Sequence, residues 1–357
     1  MEYKYLQIKS DIIKEINSST LTANEKLPSQ SKLQSMYNTS RITIIRVLNE
    51  LEKEGYIFSK PGRKGMFIKS KFLTNSKYIL VILGDITSHY DSNLLKGIED
   101  QLDSYGYKTF ICNSNRNSDK IQSFLQNQDF STVDGVILIP AIETNFEKNN
   151  RKIIDFFLDH NINYVLIDQQ LSGINSNIIK TDHKIGAFKL VHSLLNDGHT
   201  NILIGGGLLC YSIHERIQGV VNAYNYNNID FKYSQIININ DSHYPMDEDH
   251  HKQEFETLKQ EILAAGEFDA FFALNNRILN IFIKAMISLD MDISKVKICL
   301  QNELNKPIPP YTDHITYIDP HLTKMGRTAA KLLINNITNS EDGIFISQII
   351  QSTILER

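Results

Sequence analysis

Arg41, Thr43 and Arg46, followed by Lys60, Arg63 and Lys64, place positive charge and hydrogen-bond donors at short spacing near the start of this 357-residue chain. Ammonium and guanidinium groups neutralise phosphates, and a guanidinium can also donate in pairs to a purine edge. Ser29, Ser31 and Ser40 add hydroxyls that either cap helices or touch phosphate oxygens. This chemistry suits a nucleic-acid duplex. The charge distribution agrees with it: residues 1–71 hold 13 Lys and Arg against 7 Asp and Glu, and the rest holds 24 against 34, so the overall −4 hides a basic head on an acidic body.

The elements that must carry these groups are legible in the apolar spacing. Leu6, Ile8, Ile12, Ile13 and Ile16 predict a first helix, ending at the polar run from Asn17 to Thr20. Pro28 and Ser29 start a short second helix with Leu33 and Met36 facing inward, and Asn38-Thr39 turns the chain. Ser40 caps a third helix running to Gly55, with Ile44, Val47, Leu48 and Leu51 as its inward stripe. Arg41, Ile42, Thr43, Ile45 and Arg46 are left near its exposed N-terminal turns, the end of a recognition helix that meets base edges. Residues 56–58 and 66–68 read as two short strands, joined by a wing that carries Lys60, Arg63, Lys64 and Gly65.

This head resembles the GntR family of winged-helix regulators, through Leu27-Pro28-Ser29 with Leu33, Ser40-Arg41 with Thr43, and the glycines Gly62 and Gly65 before Phe67-Ile68. The resemblance implies phosphate contacts from Ser29 and Ser31, duplex contacts from Arg41 and Thr43, and approach of the wing to the minor groove at Gly65. The family's second arginine falls on Ile45, with Arg46 displaced by one residue, about 100° around the helix. Ile45 in that place would pack on a thymine methyl instead of reading guanine. The plain alternatives are that Ser29 and Ser40 are only caps and that the wing cations form an ordinary solvated turn.

Residues 72–76 form a polar linker, and from 77 to 357 apolar strands alternate with amphipathic helices, starting with the run Tyr78 to Leu83. Repeated strand–helix units imply parallel sheets with helices on both faces, and at this length two lobes. The expected class is therefore α/β: an N-terminal winged helix-turn-helix followed by a two-lobed, periplasmic-binding-protein-like body. Leu95 to Glu99, Val133 to Ile137, Val165 to Asp168, Leu194 to His199, Glu215 to Gly219 and Met325 to Ala330 resemble the core shared by lactose-repressor-type regulators and periplasmic sugar-binding proteins. The resemblance implies a first lobe of about 77–181 plus 320–339, a second of about 183–318 plus 340–357, and a ligand cleft between them. Joined to a GntR-type head, the architecture resembles arabinose-type repressors.

By the same resemblance, Asp168 at a strand end and Arg216 at a helix start bracket sugar hydroxyls, with His89, Tyr90 and Asp91 in a loop facing the cleft and Asn275 after a later strand. Asn275-Asn276 and Gln301-Asn302 stand where that family usually has carboxylates. The cleft is thus less negative, suited to a sugar, a deoxysugar or a modestly anionic derivative.

Other chemistries are poorly supported. Cys112, Cys210 and Cys299 are odd in number and far apart, so neither a disulfide framework nor a zinc site is expected. His243 and the run Asp247 to His251 read as a solvated loop, and Gly205-Gly206-Gly207, lacking a P-loop lysine, as a turn. No nucleophile–base constellation, cofactor cradle, signal segment or membrane-length apolar run is visible. The expectation is a cytoplasmic, non-enzymatic repressor without cofactor, acting as a homodimer on operator DNA and controlled by a monosaccharide or a derivative. The alternative is a constitutive regulator with a degenerate cleft, or one answering to a non-sugar metabolite.

Overall fold

The computed structural model describes residues 2–17, 26–54, 56–59, 65–68, 77–128, 130–207, 210–238, 248–304, 315–338 and 344–356. The chain separates close to residue 77 into two compact units. Lys60, Arg63, Lys64 and the 72–76 linker lie outside the described residues, as do His243 and Asp247, whereas Glu248 to His251 open a helix, Glu248–Ala265, and not a loop.

In the first unit, α1 (Glu2–Asn17), α2 (Gln30–Tyr37) and α3 (Arg41–Lys53) surround a core of Ile8, Ile12, Ile16, Leu33, Ile44, Val47 and Leu51. Ser29 caps α2 by accepting from Lys32 N at 3.3 Å, and Ser40 caps α3 by accepting from Thr43 N at 3.3 Å. Two expected core positions face outward instead. Leu6 is 55% and Met36 53% exposed, while Tyr5 and Tyr37 supply the packing; Leu6 lies about 200° around α1 from the buried Ile8, and Tyr5 within about 60° of it. β1 (Ile57–Ser59) pairs antiparallel with β2 (Met66–Ile68), one residue later than expected for β1.

The second unit contains two six-stranded sheets. The first is assembled from β3 (Lys77–Leu83), β4 (Tyr107–Asn113), β5 (Val133–Leu138), β6 (Asn163–Ile167), β7 (Ile178–Thr181) and β13 (Ser347–Ile350), in the order β13-β7-β6-β5-β3-β4. The second comprises β8 (Ile202–Gly206), β9 (Ile236–Asn238), β10 (Ala270–Ala273), β11 (Lys297–Leu300), β12 (Ile315–Asp319) and β14 (Thr353–Glu356), ordered β14-β12-β11-β10-β8-β9. The central strands run parallel and are apolar on both faces, as sheets covered by helices on either side require. Helix α4 (His89–Ser104) packs against α11 (Leu322–Thr338) through glycines: a Cβ on Gly97 would lie 2.0 Å from Thr323 O, and one on Gly326 2.2 Å from Leu94 O.

Three sequence expectations change. Residues 347–350 join the first sheet, parallel to β7, and only 353–356 join the second, antiparallel to β12. The last passage between sheets is therefore at Gln351-Ser352 and not near 340, since each sheet has an edge strand whose open backbone groups take up one half of this segment. Helix α4 begins at His89, because Ser88 caps it by accepting from Asp91 N, so His89, Tyr90 and Asp91 occupy a helical turn and not a loop. Gly205 and Gly206 are strand residues of β8; a Cβ on Gly205 would meet Phe271 and Ile278 within 3 Å, so this is close packing and not a turn.

Candidate functional site

A cavity of about 540 Å³ opens between the two sheets, near the C-terminal ends of their central strands. That is where open parallel sheets place ligands, and the volume suits a small organic molecule. On the first-sheet side the turn after β3 brings Gly84 and Asp85 to the wall. Asp91 Oδ2 accepts from Asp85 N at 2.5 Å, and burial raises its pKa to about 6 despite that bond and the nearby Arg116.

Deeper in, Asp168 follows β6 with φ +67, in the left-handed region that aspartate enters more readily than most non-glycine residues. Its Oδ1 is 2.7 Å from Nε2 of His183, the first residue of α7 (His183–Asn196). His183 Nδ1 lies 3.3 Å from Nε of Arg216 on α8 (Tyr211–Tyr226), whose Nη1 donates to Leu274 O. A guanidinium only donates, so His183 Nδ1 must accept and the ring proton sits on Nε2, toward Asp168. Tyr90 also acts on the Asp168 carboxylate. Burial alone would push Asp168 up, but His183, Arg216 and Tyr90 outweigh it and hold its carboxyl below the usual range. The Tyr90 phenol is driven well above its own by burial and by the Asp168 charge.

This chain of contacts bridges the sheets. Beside it, Gln169 Nε2 donates to Ser212 Oγ at 2.8 Å and Gln169 Oε1 accepts from Ser212 N at 3.2 Å. The second-sheet wall is α10 (Asn276–Ser288), capped by Asn275, which accepts from Ile278 N at 2.9 Å. Arg277, Asn280, Ile281 and Lys284 line the cavity from one stripe of that helix, and Arg277 is paired with Glu254.

Of the residues expected at this site, Tyr90, Asp91, Asp168, Arg216 and Asn275 line the cavity; His89 and Gln301 do not. On a helix His89 points about 200° away from Asp91. Its ring meets Asn93 at 2.9 Å and Glu303 at 3.3 Å. Gln301 is 3% exposed and donates to His183 O at 3.2 Å, tying the start of α7 to the second sheet. Sequence reasoning missed Arg116, Gln169, Ser212, the α10 stripe and His183. Ser212 sits four residues before Arg216 on one helix face, and the spacing of 277, 280, 281 and 284 was visible; nothing in the sequence connected His183 to Asp168 and Arg216.

In the first unit, Arg41 and Ile42 project from the first turn of α3, and Ile42 is 81% exposed. Ser40 Oγ and Thr43 Oγ1 are bonded to each other at 2.9 Å, and Ser29 and Ser31 hydroxyls likewise at 3.0 Å. Residues 4–68 match the family described as bacterial regulatory proteins, gntR family. The first unit is a gntR-type helix-turn-helix domain. The chain is 27% identical over 205 residues to the arabinose metabolism transcriptional repressor of Geobacillus stearothermophilus, an alignment covering 56% of this chain and 55% of that protein. The chain thus spans about half the length of the curated relatives it matches. In structure it resembles the transcription regulator CcpA of Lactococcus lactis, with a TM-score of 0.66 and 20% identity over 79% of this chain and 98% of that one. It also resembles a LacI family transcriptional regulator from Enterococcus faecium with bound ribose, with a TM-score of 0.62 and 22% identity over 78% and 97%. The body behind the gntR-type head therefore has the LacI-type fold. Among the described residues no helix is long and apolar enough to cross a membrane, and no group of His, Cys, Asp and Glu is arranged for a metal ion.

Proposed function

We propose that this protein is a DNA-binding transcriptional repressor whose operator affinity is set by a small effector, a monosaccharide or a derivative, held in the cavity between the two sheets. The observation that carries the reading is the joining of a gntR-type head to a LacI-type body whose 540 Å³ cavity presents Asp168 and Arg216 from opposite sides. Relatives named as sugar-metabolism repressors and a fold neighbour holding ribose support it. In this reading Arg41, with Ser29, Ser31 and Thr43, engages the duplex, while Tyr90, Asp91, Asp168, Arg216 and Asn275 engage the effector. Two copies act together in the cytoplasm, each placing a head on one half-site.

Regulation follows from the relay. A ligand hydroxyl that accepts from Arg216 or donates to Asp168 binds best when both walls are at their present separation, so it stabilises one arrangement of the sheets over a more open one. Its effect on operator affinity equals its differential affinity for the two arrangements, typically about 1–3 kcal/mol. The test is a thermal-shift screen against pentoses, hexoses, deoxysugars and their phosphates, because a ligand bound only by the folded state raises apparent stability. One sugar should raise the melting temperature of the wild type, leave Arg216→Ala unmoved, and release the wild type from its operator. A shift without release of DNA would remove the repressor reading; no shift with any sugar would favour an effector of another class or none.

A further inference from the structure

The exposed tip of α3 carries an inference about what the head reads, one that rests on the DNA-binding function proposed above. Ile42 is the most exposed of the large apolar side chains among the described residues, at 81%. It points about 160° around the helix from the buried Ile44, almost straight away from the core, whereas Ile45 lies about 100° from Ile44. Ile45 is half-buried in consequence. The polar groups around Ile42 have partners within the head. The hydroxyls of Ser40 and Thr43 bond to each other, and the Arg46 guanidinium, one turn further on and 58% exposed, lies 4.4 Å over the Tyr5 ring with Glu50 3.9 Å away. Arg41, the adjacent cation, is exposed.

An apolar tip beside a cation on the outward face of a recognition helix has nothing to offer a phosphate, a guanine or a cytosine. In the major groove the apolar feature of a base edge is the C5-methyl of thymine. Isoleucine suits that contact, since its branched Cβ leaves one strongly preferred χ1 in a helix and little freedom to lose on packing. We propose that Ile42, and not Ile45, is the residue that specifies thymine in the operator, and that Arg46 acts inside the head by bracing α3 against α1.

The test begins with selection of binding sites from a random duplex library by the full-length wild type and by Ile42→Ala, which sits on an exposed helix position where alanine is favourable. Each thymine of the selected wild-type site is then replaced by uracil, deleting its methyl group alone. The expected result is one thymine per half-site whose replacement weakens wild-type binding about fourfold, the value of one buried methyl group, and leaves Ile42→Ala unaffected. Ile45→Ala should keep the full uracil effect. If wild type and Ile42→Ala select the same site and respond alike to every uracil, or if the effect disappears in Ile45→Ala instead, the assignment to Ile42 fails while DNA binding stands. If the wild type enriches no sequence, the DNA-binding function fails together with it.

Discussion

The two regions that carry function treat their polar groups in opposite ways. At the cavity, Asp168, His183 and Arg216 are each 7% exposed or less and touch in series, Asp168 to His183 and His183 to Arg216; on α3, Arg41 and Ile42 stand in solvent. The difference follows from the partners. A duplex brings its own charge and counterions, so side chains that read it gain by remaining hydrated until contact. A neutral ligand of a few hydroxyls offers little energy for ordering a site, so the site must be held in place beforehand. The head is therefore expected to tolerate substitution with loss of binding alone, and the cavity to lose stability as well.

The sharpest way to break that contrast is at its most enclosed cation. Arg216→Ala leaves the buried His183 imidazole and the Leu274 carbonyl without their donor and takes a cation from beside the Asp168 carboxylate, and should cost about 3–5 kcal/mol in urea unfolding of the body, with loss of effector binding and an intact head. A stability change below about 1 kcal/mol would mean that the relay does not hold the two walls together.

Next in size is a pH effect at Asp91. Its pKa is raised from 3.8 to about 6 by burial, so the folded state binds a proton more tightly than the unfolded one, and the sign of linkage is unfavourable as pH rises. Stability should fall between about pH 4 and pH 6 by about 3 kcal/mol at most. Asp91→Asn, which cannot titrate, should flatten unfolding curves measured across that window. Asp168 has the opposite sign: its lowered pKa stabilises the fold above the ordinary carboxylate range and loses that contribution as acid protonates it.

Smaller effects belong to the head. Arg41→Ala should weaken operator binding by about 1–3 kcal/mol and reduce the salt slope by about one, with effector-induced stabilisation unchanged. Ser40→Ala removes a cap from α3 and should cost the head about 1 kcal/mol, measured as a lower urea midpoint. An Arg41→Ala variant that also lost effector binding would erase the distinction between the two regions.

What the sequence disclosed follows the same divide. The helices of the head are specified locally: Ser29 and Ser40 announce their starts, and the spacing of Ile44, Val47, Leu48 and Leu51 gives the buried face of α3. The β-strand runs of the body were equally plain, because strands buried on both faces are continuous apolar segments. Positions fixed by distant contacts were not legible. His183 joins Asp168 and Arg216 only because the chain passes from one sheet to the other at that point. His89 was assigned to the cavity because the start of α4 was set too late; a helix running through His89 turns its ring away from the wall that Asp91 faces.

The split of residues 347–356 between the two sheets bears on biosynthesis. Ile178 and Ser347 are register partners, and Asp182 Oδ1 accepts from Ser352 N at 3.0 Å, so strands laid down early wait for neighbours translated far later. At about 5–20 residues per second, roughly ten to thirty seconds separate the emergence of β7 from that of β13. The gntR-type head, matched within residues 4–68, can fold while the ribosome is still working, whereas β7 and β12 lack their outer neighbours until 347–356 has left the exit tunnel. A chain arrested or clipped ahead of that segment would leave a finished gntR-type head attached to an unfinished body.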